Sequence, residues 1–305
     1  MASNMPFFRE LGSNVKSNAR LKKYPLGQWE ILVCDRAIFG GDGWEAVPNK
    51  WDSASPKGKK KRGETPPTPE SLKRSRRRAA SKIRDIALCN PFRWFVTLTL
   101  SAERVDRYDI NAALRRMRVW LDNRVRRKGL VYVLIPEHHK DGAIHFHGFF
   151  NDVDVGIVDS GTIRVQGEKK PKKPRSSAQR REWLALGGQP VYNITDWNLG
   201  FSTAIEIYGD YEAAISYACK YLDKQYEGID GSVSDKIGGR WYYSGGDIKT
   251  PLLSFVLCDL REIEAAGGFV FHVEEAGLSF CVLRGRAEPE PPTAATAAAS
   301  GANSG

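Results

Sequence analysis

The chain has 305 residues, a mass of 34.1 kDa and 41% hydrophobic residues, enough to form one large domain or two small ones. No apolar run reaches membrane-spanning length and the N-terminus lacks the basic-then-apolar plan of a secretion signal, so we expect a cytoplasmic protein without a membrane partner. The formal net charge of +10 favours a polyanionic partner, and the five scattered cysteines suit neither a disulfide framework nor a four-cysteine zinc site.

The first ninety residues contain one predicted strand, Trp29–Cys34, and one strongly basic segment. Between Lys57 and Arg84, twelve Lys or Arg stand against two Glu, an excess of ten positive charges that equals the net charge of the chain. A solvated linker has the same composition, but we interpret the segment as one that follows phosphates. Prolines 66, 67 and 69 predict an unstructured approach to a basic helix at about Arg74–Ala87.

After residue 92 the pattern becomes regular. Phe95–Leu100 alternates apolar and hydroxyl residues, which predicts a core strand with its threonines on the opposite face. Asp109 is placed to cap a helix that would end at Gly129. Its apolar positions follow helical spacing and are Ile110, Ala113, Leu114, Met117 and Leu121.

The remaining elements are predicted from similar patterns. Leu130–Ile135 and Ala143–Phe150, separated by a polar turn, indicate an antiparallel hairpin. Residues 151–195 are predicted to form a long connection with a second basic cluster, an insertion near DNA. A strand is expected at Phe201–Ile207 and a helix from Asp210 to Gln225, and the residues after 286 have the composition of a disordered tail.

The second hairpin strand carries a His-x-His pair. Because alternate residues of a strand point the same way, His145 and His147 present two imidazoles on one face, while Phe146 and its apolar neighbours face the core. Glu137 ends the partner strand, close enough to offer a carboxylate to the same ion. This set suits Mn²⁺, Mg²⁺ or Zn²⁺ with open positions for a substrate oxygen. Two hydrogen-bonded surface histidines would give the same pattern.

The last predicted helix carries two phenols and two ammonium groups on one face. Tyr217, Lys220, Tyr221 and Lys224 are spaced at i, i+3, i+4 and i+7, opposite an apolar stripe. An ordinary amphipathic helix also fits. A phenol with a pKa near 10 needs positive charge to act as a nucleophile, however, and nearby lysines with a metal ion supply it. Together the two motifs predict in-line attack of a tyrosine on a phosphate, giving a 5′-phosphotyrosine and a free 3′-hydroxyl.

Three motifs in this order resemble the HUH endonucleases, specifically the rolling-circle replication initiators of microvirus- and inovirus-type phages and related plasmids. They span about residues 92–226, and histidines before tyrosines disfavour conjugative relaxases. The motifs are Phe95–Leu100, His145-Phe-His147 with Glu137 upstream, and Tyr217-x-x-Lys220-Tyr221-x-x-Lys224.

The resemblance implies an α+β fold with a central antiparallel sheet flanked by helices, similar to an RNA-recognition motif. It implies an enzyme that nicks and rejoins single-stranded DNA at a replication origin with Mg²⁺ or Mn²⁺, and that works with a host helicase and polymerase. Tyr217, Tyr221, Lys220 and Lys224 would be catalytic, and Glu137, His145 and His147 would bind the metal. Whether Tyr221 is a second nucleophile or a helper of Tyr217 stays open.

We expect five regions. They are an N-terminal segment at 1–48, a basic and partly disordered DNA-contacting linker at 49–90, the endonuclease domain at 91–260 with the insertion at 151–195, a C-terminal extension at 261–285, and the tail at 286–305. The residues predicted to contact DNA are Lys73, Arg74, Arg76, Arg77, Arg78, Lys169, Lys170, Lys172 and Lys173.

Three alternatives remain. A single-tyrosine transposase of the same superfamily would tolerate Tyr221→Phe, whereas a two-nucleophile initiator would lose repeated turnover. A non-catalytic nucleic-acid-binding protein would be insensitive to chelators. A zinc-dependent phosphodiesterase would release a free 5′-phosphate without attaching protein to DNA.

Overall fold

The computed structural model describes residues 9–10, 16–39, 67–139, 141–168, 170–209, 211–227 and 236–286. The chain divides into two compact units, one of Lys61–Thr250 and one of Met1–Lys60 with Pro251–Gly305. This division differs from the five predicted regions, because strands from the beginning and the end of the chain pair within one sheet. The part of the predicted basic segment before residue 67, Asp210 and the tail after residue 286 lie outside the described residues.

The described residues form five α-helices and two single turns of 3-10 helix, at Ile237–Gly239 and Glu274–Ala276. The α-helices are α1 (Pro69–Cys89), α2 (Ile110–Lys128), α3 (Ser177–Ala185), α4 (Tyr211–Glu227) and α5 (Leu260–Ala265). None of these described helices has both the length and the apolar character that a membrane span requires.

The described strands form two antiparallel sheets, and the predicted α+β class is confirmed. The strands are β1 (Arg9–Glu10), β2 (Ala19–Lys23), β3 (Gln28–Cys34), β4 (Phe92–Thr99), β5 (Tyr132–His138), β6 (Ile144–Asn151), β7 (Ile157–Arg164), β8 (Gln189–Ile194), β9 (Ser202–Glu206), β10 (Tyr243–Gly245), β11 (Leu252–Leu257), β12 (Phe269–Val273) and β13 (Leu278–Arg286).

The sheet of the larger unit has the order β10-β5-β6-β4-β9-β8-β7. One face packs on α2, where Val96 and Leu98 of β4 and Phe146 of β6 are fully buried with Met117 of the helix. Both the hairpin and the inward face of β4 are therefore as predicted. Gly129 ends α2 in the left-handed conformation with a φ of 70°, which glycine adopts without a Cβ clash.

Helix α1 begins earlier than its sequence predicts. The Thr68 side chain accepts a hydrogen bond from the Ser71 amide, and Pro69 is the first helical residue. Proline suits that position because its missing N–H would have no helical partner there. The basic helix is thus confirmed, but Pro69 belongs to it and not to an unstructured approach.

The prediction of a long connection at residues 151–195 is wrong. This stretch contains β7, α3 and β8, which extend the sheet beyond β9. β7 lies at the edge of the described sheet and most of its residues are partly or fully exposed. An edge strand of this kind has little apolar alternation, which explains why no strand was predicted there.

The smaller unit contains a sheet in the order β1-β11-β2-β3-β13-β12. The strand predicted at Trp29–Cys34 is confirmed as β3. Its core contains Trp29 among smaller side chains such as Leu21, Ile31, Val33 and Cys281. The five cysteines are free, and all except the half-buried Cys219 are buried.

Candidate functional site

Three neighbouring strands bring the predicted metal ligands to the face of the larger sheet opposite α2. In the pairing of β4 with β6, Thr97 lies opposite His147, and in the pairing of β5 with β6, Glu137 lies opposite His145. Odd-numbered residues of β6 share this face, so both imidazoles project from it. Helix α4 lies on the same side, in contact with β5 and β6.

Glu137 joins the strands to α4. Its Oε2 is 2.8 Å from His147 Nε2 and its Oε1 is 3.0 Å from Lys224 Nζ. Burial by itself would raise the pKa of Glu137, but its hydrogen bonds and electrostatic interactions with His147 and Lys224 outweigh burial and lower the pKa below its usual value. On the other side of the ring, His147 Nδ1 is 3.1 Å from Thr97 Oγ1. The imidazole is therefore fixed at both nitrogens.

His145 is the third predicted metal ligand, and its ring has the protonation state that a ligand needs. Burial and the neighbouring His139 and His147 imidazoles lower the pKa of His145 to about 4, so at neutral pH its ring is uncharged and has a lone pair for a cation. Glu137 and His147 place donor atoms 2.8 Å apart, close enough to contact one ion. The His145 ring lies 6.4 Å from that of His147 and stacks on His139 at 4.7 Å.

The side-chain positions do not yet form a metal centre. Among the described residues, no three His, Cys, Asp or Glu side chains converge on a point that would hold an ion. The donor types fit a divalent cation, and Thr97 would supply the outer hydrogen bond that a ligating histidine usually has. Metal binding by Glu137, His145 and His147 stays a prediction.

Tyr221 lies on the side of α4 that packs against the histidines, which we call the closed side. Its side chain is only 7% exposed, and its ring stacks on His147 with a centroid distance of 3.9 Å and an interplanar angle of 11°. Lys224 Nζ lies 4.7 Å from the centre of the Tyr221 ring. Burial and the hydrogen bond to Tyr217 raise the pKa of Tyr221, so this phenol keeps its proton.

Tyr217 lies one helical turn before Tyr221, on the side of α4 that borders a cleft, which we call the open side. The Tyr221 hydroxyl donates a hydrogen bond to the Tyr217 oxygen at 3.1 Å, and the Arg164 guanidinium lines the same cleft as Tyr217. Partial burial opposes ionisation, but the Tyr221 hydroxyl and the positive groups of Arg164 and Lys224 lower the pKa of Tyr217. The sequence pattern does not distinguish the two phenols, but their surroundings shift their pKa values in opposite directions.

Two further residues of the motifs, Phe95 and Lys220, and one residue outside them, Arg164, complete this arrangement. Phe95 packs edge-on against Tyr217 with a centroid distance of 5.4 Å and also contacts Tyr221. Lys220 Nζ lies 5.7 Å from the centre of the Tyr217 ring. Arg164 was missed because it ends β7, within the stretch predicted as a connection, and its sequence neighbourhood contains no motif. Tyr217 also borders a cleft of about 410 Å³ shared with Arg164.

The predicted DNA-contacting residues fall into two groups. Lys73, Arg74, Arg77 and Arg78 project from α1 into solvent, and Lys170, Lys172 and Lys173 are exposed, whereas Lys169 lies outside the described residues. Arg76 instead pairs with Asp223 of α4, and its guanidinium lies 5.0 Å from the centre of the Tyr226 ring. Arg84 makes a similar ion pair with Glu212, 3.1 Å apart. One side of α1 thus holds α4 and the other is free for a polyanion.

Comparison with known proteins gives one finding. Residues 93–226, a little under half of the chain, match the family model described as Replication-associated protein ORF2. The matched range begins in β4, ends in α4, and coincides with the span of the three motifs. Neither the curated proteins nor the solved structures gave a match.

Proposed function

We propose that this protein initiates rolling-circle replication by nicking and rejoining one strand of DNA at an origin, with Tyr217 as the attacking nucleophile. The observation that carries the proposal is the polarised pair of tyrosines beside the cluster of Glu137, His145 and His147. The similarity of residues 93–226 to replication-associated proteins supports a role in replication. The exposed basic side of α1 supports a nucleic acid substrate.

In the proposed reaction, Tyr217 attacks the scissile phosphate in line. A bond forms between the phenol oxygen and phosphorus, and the bond from phosphorus to the 3′-oxygen breaks. That oxygen leaves with the electron pair and takes a proton to become a 3′-hydroxyl, while the phenol proton passes to solvent. Arg164 and the Tyr221 hydroxyl favour the phenolate before attack. The phosphotyrosine conserves the energy of the phosphodiester, so the reverse reaction rejoins the strand.

Glu137, His145 and His147 are the proposed holders of a Mg²⁺ or Mn²⁺ ion. When bound, the ion would supply positive charge to a non-bridging phosphate oxygen. Lys224 contributes a further positive charge on the same side, because it pairs with Glu137 on the wall of the site. The stack of Tyr221 on His147 ties the nucleophile helix to the proposed ligands.

The test is covalent capture. The protein is incubated with labelled single-stranded DNA from its own genetic element and Mn²⁺ or Mg²⁺, and the products are separated on a denaturing gel. We expect a protein–DNA adduct that disappears with a chelator, with Tyr217→Phe and with His147→Ala. Matched controls are Tyr226→Phe, a tyrosine of the same helix whose ring faces Arg76, and His272→Ala in the smaller unit. Both controls should form the adduct.

Other outcomes identify the alternatives. Binding without an adduct on any strand, unchanged by chelator, would favour a non-catalytic nucleic-acid-binding protein. Cleavage that leaves a free 5′-phosphate and unattached protein would favour a metal-dependent phosphodiesterase. An adduct insensitive to Tyr217→Phe would refute the assignment of the nucleophile.

A further inference from the structure

The cleft beside Tyr217 has the size and lining of a ligand site. Its volume of about 410 Å³ lies within the range of about 300–1,000 Å³ that small-molecule sites occupy. Phe95, Ile205 and Ile207 supply an apolar floor, and Arg164, Gln189 and Tyr208 supply a polar rim. Ala213 and Ala214 of α4 close the side next to Tyr217 and leave room because their side chains are small.

One aromatic ring on the rim is held in place although it is exposed. Tyr208 is 54% exposed, and its hydroxyl hydrogen-bonds the carboxylate of Glu206. The other oxygen of that carboxylate, Oε1, accepts a hydrogen bond from Arg93 Nε at 2.8 Å, and Arg93 also pairs with Asp152 at 2.8 Å. A solvent-facing aromatic ring anchored in this way is a ready platform for stacking.

Arg164 connects this cleft to the nucleophile and to a second opening. Its side chain lines the cleft together with Tyr217, and it also lines a neighbouring cleft of about 330 Å³ with Gly167, Gly187 and Gln189. A cation that lies between two clefts and beside the proposed nucleophile is placed to pair with the phosphate that joins two nucleotides. Along a bound strand, the Tyr208 ring, the Arg164 guanidinium and the Tyr217 hydroxyl would then follow one another in this order.

We propose that the cleft binds an unpaired nucleobase of single-stranded DNA next to the scissile phosphate, with the base on the platform of Phe95 and Tyr208. This inference rests on the proposed function for the identity of the phosphate, but base binding itself requires no nicking. The apolar floor accepts the face of any base, and the Gln189 amide offers both a donor and an acceptor to a base edge. Seating one base would fix the register of the strand against Tyr217.

The test compares strands with and without bases. Fluorescence anisotropy measures binding of labelled oligothymidylate and of an abasic oligonucleotide of the same length, in chelator so that nothing is cleaved. Because stacking of one base contributes about 1–3 kcal/mol, wild type should prefer the thymidylate about fivefold to about 150-fold. Ala213→Phe, which fills the cleft, should lose most of this preference, and Ser216→Phe, an exposed position of the same helix that does not line the cleft, should keep it.

A second variant tests the same cleft without a bulky substitution, so that misfolding does not explain its effect. Tyr208→Ala removes an exposed ring and should reduce the preference without changing thermal stability. Equal affinity of wild type for the two strands, or equal loss in Ala213→Phe and Ser216→Phe, would overturn the proposal. Failure of the nicking proposal appears separately, as absence of a covalent adduct with wild type. A base preference that maps to Ala213 and Tyr208 without an adduct would leave the cleft assignment in place.

Discussion

The surroundings of Tyr217 and Tyr221 differ although one helical turn separates them. Tyr221 is pressed between His147 and Lys224, on the closed side of α4 where the sheet carries Glu137. Tyr217 faces the open side, with Arg164 and the cleft. The helix therefore has a closed side against the proposed metal ligands and an open side beside the cleft.

The direction of one hydrogen bond explains the difference. Tyr221 donates and Tyr217 accepts, so the proton stays on the buried phenol and negative charge is favoured on the accessible one. Two tyrosines with the same spacing from a lysine thus acquire different acidities from their neighbours alone. This arrangement supports the proposal that Tyr217 is the nucleophile, with Tyr221 as its hydrogen-bond donor.

The largest expected effect is that of removing the open-side phenol. Tyr217→Phe should lower the rate of adduct formation at least about a thousandfold, because no other group replaces a lost nucleophile. Single-turnover capture on denaturing gels measures this rate, with Tyr226→Phe as the control. A variant that retained most of the wild-type rate would mean that Tyr221 attacks and that the two sides were assigned the wrong way round.

The next effect concerns Arg164 and has a defined pH dependence. Arg164 lowers the pKa of Tyr217, so Arg164→Gln should raise it and reduce the phenolate fraction at neutral pH. The loss of this positive charge beside the phenol predicts a rate about ten- to a hundredfold lower near pH 7. Because a higher pKa needs a higher pH for ionisation, the rise of rate with pH should move to more alkaline pH.

The control for Arg164 is the conservative change. Arg164→Lys keeps the charge and should return part of the rate and part of the pH shift. Rate profiles over pH, together with DNA affinity in chelator, separate the two roles of this residue. A uniform drop in rate at every pH would show that Arg164 does not set the pKa of Tyr217.

A smaller effect is expected for the closed-side phenol. Tyr221→Phe keeps the stack on His147 and loses one neutral hydrogen bond, worth about 0.5–1.5 kcal/mol, so the first adduct should form about three- to tenfold more slowly. Repeated turnover on a substrate with two cleavage sites then distinguishes the family alternatives. In a two-nucleophile initiator, Tyr221→Phe would abolish repeated turnover. In a single-tyrosine transposase, repeated turnover would continue.

The smallest effects separate the two sides of α1. Arg77→Gln removes an exposed charge and should reduce the slope of log affinity against log salt by about 1. Arg76→Gln removes an ion pair with Asp223 and should leave that slope unchanged while lowering the free energy of unfolding by up to about 1 kcal/mol. Salt titrations of single-stranded DNA binding and thermal unfolding measure both. Equal slopes for the two variants would contradict the division of α1 into a packed side and a free side.

Much of the larger unit was predictable from local patterns. The periodicity of two placed Val96, Leu98 and Phe146 in the core and left both histidines on the other face. Helical spacing, an Asp at the start and a Gly at the end defined α2 almost to the residue. The edge strand β7 was missed because an exposed strand lacks the alternation that prediction relies on.

By itself, the sequence determined which side chains share a face: His145 with His147 on β6, and Tyr217 with its lysines on α4. Only the tertiary structure decided what stands opposite each of them. The stack of Tyr221 on His147 and the contact of Arg164 with Tyr217 join residues more than fifty positions apart. Faces follow from the local geometry of strand and helix, whereas burial, hydrogen-bond direction and acidity depend on pairings between distant segments that no local period encodes.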